Sequence, residues 1–181
     1  MKKYFQPGPR MNVTHRQILY DGHYKLSQLL VQDGPEQLKR ERFEPGQAVA
    51  ALVFDTQKQR YLFVRQFRVG PESEMLEIPA GMLDPTDESP EAALCREIRE
   101  ELGYEVDQLT HITDCFPSPG NSAEKFFLYR AEVSRQTGVG GGVADEHEQL
   151  AIVPLTRAEL ATEAWQDAKT LIVVQWERLR H

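Results

Sequence analysis

Glu97 and Glu101 stand one helical turn apart in the stretch Ser89 to Tyr104, SPEAALCREIREELGY. On a helix advancing ~100° per residue, Leu94, Cys95, Ile98 and Leu102 form an apolar stripe, and Glu101 falls only about 20° from Leu94. An unpaired carboxylate buried there costs several kcal/mol, so a cation is expected to compensate it. Ligands that are all oxygen suit a hard divalent ion such as magnesium. The competing reading is a solvated face, with Arg96 and Glu100 paired at i and i+4 and Glu91, Glu97 and Glu101 in water.

The surroundings favour the first reading. Ser89 can cap the helix, Pro90 fits its first turn, Glu88 and Glu91 lie near its positive end, and Gly103 stops it. Just upstream, LEIPAGMLDP predicts a short strand, Met75 to Pro79, that breaks at Ala80-Gly81 into a loop. Strand, loop and acidic helix in that order bring backbone carbonyls and carboxylates to one spot.

These residues resemble the Nudix box, G-x5-E-x7-R-E-U-x-E-E-x-G-U, where U is apolar or aromatic. Here it reads Gly81, Glu88, Arg96-Glu97-Ile98, Glu100-Glu101, Gly103 and Tyr104. Six residues separate Gly81 from Glu88 where the pattern has five, so the loop MLDPTD is one residue longer. From Glu88 onward the spacing is kept. Nine specified positions over a fixed span are far more specific than a lone glycine motif.

Three further stretches resemble Nudix enzymes that hydrolyse ADP-ribose and related ADP-sugars. Sixteen residues after Gly103 stands Pro119, within SPGNSAE, and Ser118, Pro119, Gly120, Ser122 and Glu124 match that group's motif. A tight Pro-Gly turn would by itself account for the same residues. In GVGGGVADEHEQL no Gly-Lys-Ser/Thr follows, so this is no phosphate-cradling P-loop. Glycines ahead of Asp145, Glu146, His147 and Glu148 instead predict a hinged loop that swings carboxylates toward a site, the alternative being an exposed acidic turn. By the resemblance, Glu146 occupies the position of the catalytic base and Glu148 that of an auxiliary acid and metal ligand. In the N-terminal RERFEPG, Arg40 matches an arginine that reaches a partner subunit's substrate, and Arg68 in VRQFRV matches one that holds phosphate or ribose. Arginine suits both tasks because its planar fork pairs with two phosphate oxygens at once. Where the family carries an aromatic to stack the base, this chain has His23 and Tyr24.

The resemblance implies metal-dependent hydrolysis of a diphosphate bridge. Glu97 and Glu101, with the carbonyl of Ala80, would hold magnesium, or manganese in its place, and Glu100 would share a metal or stand outside it. Arg96 would orient Glu88 or a ligating carboxylate, and Glu77 would support the site from behind. Glu146 is the expected base and Glu148 its alternative. For ADP-ribose the products are AMP and ribose 5-phosphate. GDP-mannose hydrolysis is the alternative within the same chemistry, since related enzymes share the arm, the SPG loop and a GGGV stretch. A non-catalytic nucleotide-sugar-binding module of the same fold is the alternative from another class.

Composition agrees with one enzyme domain. The chain has 181 residues, 40% of them apolar, with 28 acidic against 21 basic side chains, net -7. That balance argues against a nucleic-acid backbone binder. AVAALVF and LIVV are too short to span a bilayer, and MKKYFQPGPR lacks a signal peptide's apolar stretch. Cys95 and Cys115 form no CxxC pair, which fits a reducing cytoplasm.

The expected order is a tail, then three antiparallel strands (VTHRQILY, HYKLSQLLVQ, EQLKRERFE) as a twisted arm. Core strands GQAVAALVFD and RYLFVRQFRV follow, then the acidic helix, strands near Glu105 to Thr113, at KFFLYRAEV and at QLAIVPL, and helices TRAELATEAWQ and AKTLIVVQWERLR. This predicts an α/β fold: residues 1–45 as tail and dimerising arm, and residues 46–181 as an α/β/α Nudix sandwich around a mixed sheet, in a homodimer that exchanges its arms.

Overall fold

The computed structural model describes residues 11–84, 86–142 and 150–180. The chain divides into two compact units, Met1–Gly46 with Ser118–Glu124, and Gln47–Pro117 with Lys125–His181.

In the first unit β1 (Asn12–Asp21), β2 (Lys25–Asp33) and β3 (Glu36–Glu44) form an antiparallel sheet in that order. Gly34, with φ of 56°, supplies the left-handed turn between β2 and β3. Ser27 and Leu29 are buried, whereas β1 is exposed along its whole length. Residues 118–124 join this unit through β3: the Phe43 N–H donates to the Asn121 carbonyl at 2.9 Å, and the Ala123 N–H to the Phe43 carbonyl at 2.9 Å.

The second unit contains β4 (Gln47–Asp55), β5 (Arg60–Arg68), β6 (Ser73–Glu77), β7 (Ala80–Met82), α1 (Pro90–Leu102), β8 (Tyr104–Cys115), β9 (Lys125–Gln136), β10 (Ala151–Leu155), α2 (Arg157–Thr162) and α3 (Ala168–Arg178). Its sheet runs β10-β5-β4-β9-β8, with β6 on β5 and β7 on β4. β4 and β9 are parallel and the other pairs antiparallel, so the sheet is mixed. β4 is apolar at consecutive positions because both faces are covered. Val49, Ala51 and Val53 pack with Leu94, Ile98 and Leu102 of α1, while Ala48, Ala50 and Leu52 pack with Leu160 of α2 and Val173 and Val174 of α3. The result is the helix–sheet–helix sandwich expected from the sequence.

One local expectation is corrected. Ala80-Gly81 does not break into a loop: Ala80, Gly81 and Met82 form β7 opposite Ala50, Val49 and Ala48. β4 and β5 pair only at Val53–Asp55 with Arg60–Leu62, then diverge, and β6 and β7 fill the opening. That insertion carries Gly81 to α1. The penultimate helix is also shorter than its sequence suggested, because Glu163 has left helical geometry at ψ of 141°.

Candidate active site

α1 is fixed at both ends by local chemistry. Ser89 Oγ accepts the Ala92 N–H at 3.1 Å, and Gly103, with φ of 74°, donates its N–H to the Arg99 carbonyl at 3.0 Å. Its register turns Ala93, Leu94, Ile98 and Leu102 into the core and takes Glu101 with them, leaving that carboxylate residue 3% exposed. Glu97 stands one turn earlier with its side chain 13% exposed, and its carboxylate occupies the space that a side chain on Gly81 would need.

Arg96 organises the acids. Its Nη1 donates to Glu97 at 2.6 Å and to Glu100 at 3.3 Å, and its Nη2 donates to Asp87 at 3.1 Å. The Asp87 bond, together with the Glu97 charge and hydrogen bond, outweighs burial and raises the pKa of Arg96, while Arg96 in turn holds Asp87 below the ordinary carboxylate range. Of the two partners expected for Arg96, Glu88 or a ligating carboxylate, it bonds the second, Glu97; Glu88 is exposed, and Asp87 is the loop acid that Arg96 meets.

The described part of the glycine-rich stretch lies against the end of α1. The N–H groups of Gly141 and Gly142 donate to the carbonyls of Glu101 at 2.8 Å and Glu100 at 3.3 Å, and those of Thr137 and Gly138 donate to the carbonyl of Gly103. The described part of the stretch thus caps the C-terminal turn that carries the acids. Asp145, Glu146, His147 and Glu148 lie outside the described residues.

Arg68 does not stand alone. Its Nε and Nη2 grip Glu77 at 2.7 and 2.9 Å, and Lys169 of α3 donates to the same carboxylate. Burial would raise the pKa of Glu77, but Arg68 and Lys169 outweigh it and hold that pKa down. Lys169, the first-turn residue of an ordinary-looking helix, carries no sequence signal for this role.

In the first unit Arg40 is exposed and donates to the Lys39 carbonyl at 2.9 Å. His23 meets Tyr24 edge-on at 4.4 Å between centroids, and Tyr24 meets Phe43 at 5.2 Å. Ser118 and Pro119 are exposed. Ser118 donates to Asn121 at 2.8 Å, and the Glu124 N–H donates to Ser122 Oγ at 3.1 Å, so SPGNSAE is a tight, internally bonded turn.

The donor set fits a hard divalent cation. Glu97 and Glu101 supply oxygens from one helix face, Glu101 is removed from water, and the space left by Gly81 lets Glu97 lie beside β7, which contains Ala80. Among the described residues no three acids are already drawn into a metal-binding array, and Arg96 is bonded to Glu97 and Glu100.

A family model described as NUDIX domain matches residues 44–173. Curated relatives include a protein named GDP-mannose pyrophosphatase from Citrobacter koseri, 34% identical over 148 aligned positions, with 76% of each chain covered. A protein of the same name from Enterobacter is 29% identical over 182 aligned positions, with 92% of this chain and 94% of that one covered. Among solved structures, that of an ADP compounds hydrolase superposes with a TM-score of 0.80 at 20% identity, over 97% of this chain and 96% of the other, and so shares the fold. A family match running from the end of β3 into α3, across a helix whose cap, acids and glycine stop follow the box, makes this chain a member of the Nudix family of hydrolases.

Proposed function

We propose that the protein hydrolyses the diphosphate bond of a nucleotide sugar, with ADP-ribose as substrate and AMP and ribose 5-phosphate as products. The observation that carries this reading is the burial of Glu101 on the apolar side of α1, one turn from Glu97, where carboxylates gain most from a bound cation. Magnesium or manganese, when bound by Glu97, Glu101, Glu100 and the carbonyl of Ala80, would screen the diphosphate charge and acidify a water molecule. Arg96 would keep Glu97 and Glu100 aligned, and Arg68 would hold a phosphate oxygen with the N–H groups that Glu77 leaves free. Glu146 is assigned as the base that takes the proton from water, with Glu148 as its alternative. His23, Tyr24, Ser118, Pro119 and Glu124 are assigned to substrate binding by resemblance.

The nucleotide-sugar class is supported by the GDP-mannose pyrophosphatases among the relatives. ADP-ribose is favoured by the two-residue step from Glu146 to Glu148. GDP-mannose is the second reading, favoured by the relatives' names. Turnover of both compounds under the same magnesium concentration decides between them. A clear preference for GDP-mannose would replace ADP-ribose, and cleavage of neither would overturn the proposal.

We further infer a homodimer formed through the N-terminal arm, with Arg40 serving the partner's substrate. The exposed Val13, Ile18, Leu19 and Tyr20 on β1 support it, since a lone strand rarely leaves such side chains in water. Among the described residues, no helix is long and apolar enough to cross a membrane.

A further inference from the structure

Arg68 commits one edge of its guanidinium to Glu77 and, among the described residues, leaves the other open. Among the described residues two of its five N–H donors are engaged, at 2.7 and 2.9 Å, and 37% of the side chain is exposed. Glu77 is 2% exposed and Lys169 6% exposed. A single carboxylate would suffice for a single arginine, so a buried lysine on the same carboxylate needs its own reason.

Charge supplies one. Arg68 with Glu77 alone is neutral and a weak attractor of phosphate, whereas adding Lys169 leaves the assembly cationic. Asp167, 3.1 Å from Lys169, does not simply cancel it. That acid accepts the Thr170 N–H and hydroxyl at 3.0 and 2.6 Å and caps α3, so part of its charge is taken up by the positive end of the helix. Burial works against the Arg68 charge, but the Glu77 bonds and the nearby charges of Glu77 and Glu101 keep the guanidinium protonated, which places Arg68 within the field of the acidic helix.

We propose that Glu77 and Lys169 are positioning residues for Arg68: Glu77 fixes the plane of the guanidinium, Lys169 keeps the group cationic, and the open edge takes a phosphate oxygen of the substrate. This rests on the reading of the protein as a nucleotide-sugar hydrolase with Arg68 as phosphate ligand.

The sign of one substitution tests it. Glu77→Gln removes a negative charge, so a purely electrostatic role would tighten binding of an anionic substrate, while a positioning role weakens it. The expected result is a KM for ADP-ribose and GDP-mannose raised about tenfold with kcat nearly unchanged, because uniform binding has been lost. Lys169→Met should also raise KM, and it should flatten the dependence of KM on salt. Should Glu77→Gln fail to fold, the paired variant Glu77→Gln with Lys169→Met removes both charges together and is expected to raise KM as well. An unchanged or lowered KM in a folded Glu77 variant of an active enzyme overturns this inference alone. A wild-type protein that cleaves no nucleotide sugar overturns the underlying function and this inference with it.

Discussion

A methyl group placed on the α-carbon of Gly81 would stand 1.9 Å from the carboxyl carbon of Glu97. The clash involves only the tip of a flexible side chain, so Glu97 can swing aside and the fold can survive. Gly81→Ala should therefore change stability by no more than about 0.5 kcal/mol, as for substitutions without a core defect, while activity falls about a hundredfold. Urea unfolding and kcat measured together check this. Full activity in the variant would mean that Glu97 does not need that position.

Glu101→Gln keeps the shape of a buried side chain and removes its charge. Turnover should drop by orders of magnitude, and the magnesium concentration for half-maximal rate should rise, because one anionic oxygen ligand is gone. Direct manganese binding, followed by its paramagnetic signal, should weaken in parallel. Unaltered activity at limiting magnesium would remove Glu101 from the metal site.

Arg96 tells the two loop acids apart. Asp87→Asn removes an ionic partner from Arg96 and should lower kcat severalfold by loosening Glu97 and Glu100, whereas Glu88→Gln should leave kcat unchanged. The opposite order of effects would restore Glu88 to the box position that sequence spacing gave it.

How far the sequence carried these positions depends on whether the signal was local. Ser89, Pro90 and Gly103 bracket α1 by their own backbone preferences, and the Leu94–Ile98–Leu102 stripe sets its inner face, so helix and acids are legible without coordinates. β7 is not, because three residues including a glycine become a strand only by pairing with Ala48, Val49 and Ala50 far away in the chain. Asp87 was missed because Arg96 reaches through space and ignores the count of loop residues. Glycines suggest freedom when read alone, yet Gly140, Gly141 and Gly142 hold φ of 66°, 104° and 86° in a segment docked on α1. The partnership of Glu77 with Lys169 crosses 92 positions, and nothing near either residue announces it.

Gly140 should be intolerant in a way that Gly81 is not. A methyl group there would meet the Glu101 carbonyl oxygen at 2.5 Å, which is backbone, and φ of 66° disfavours any side chain. Gly140→Ala is expected to cost at least about 1–2 kcal/mol, the penalty for left-handed geometry, and to weaken metal binding as well. Melting and manganese titration check both halves. Wild-type affinity in a destabilised variant would show that the cap supports the fold but not the acids.

Acid should expose another buried carboxylate. Asp55, its side chain 1% exposed, accepts the N–H groups of Gln57 and Lys58 at 2.9 and 3.0 Å and the Tyr104 hydroxyl at 2.7 Å. Burial pushes its pKa up, but these bonds and the Lys58 charge bring it below the ordinary 3.8. A carboxylate of lowered pKa stabilises the fold above its unfolded-state value and loses that contribution as pH falls through its folded-state value. The urea midpoint should accordingly decline from about pH 5 downward, and Asp55→Asn should flatten that decline. Parallel curves for the two proteins would refute it.

Because Gly141 closes on the carbonyl of Glu101, the acidic turn depends on residues made forty positions later. At ~5–20 residues per second on the ribosome, α1 waits roughly 2–8 s for its cap, and β4 likewise waits for β9. A translation product cut short in that interval holds every box residue yet lacks the contacts that set them.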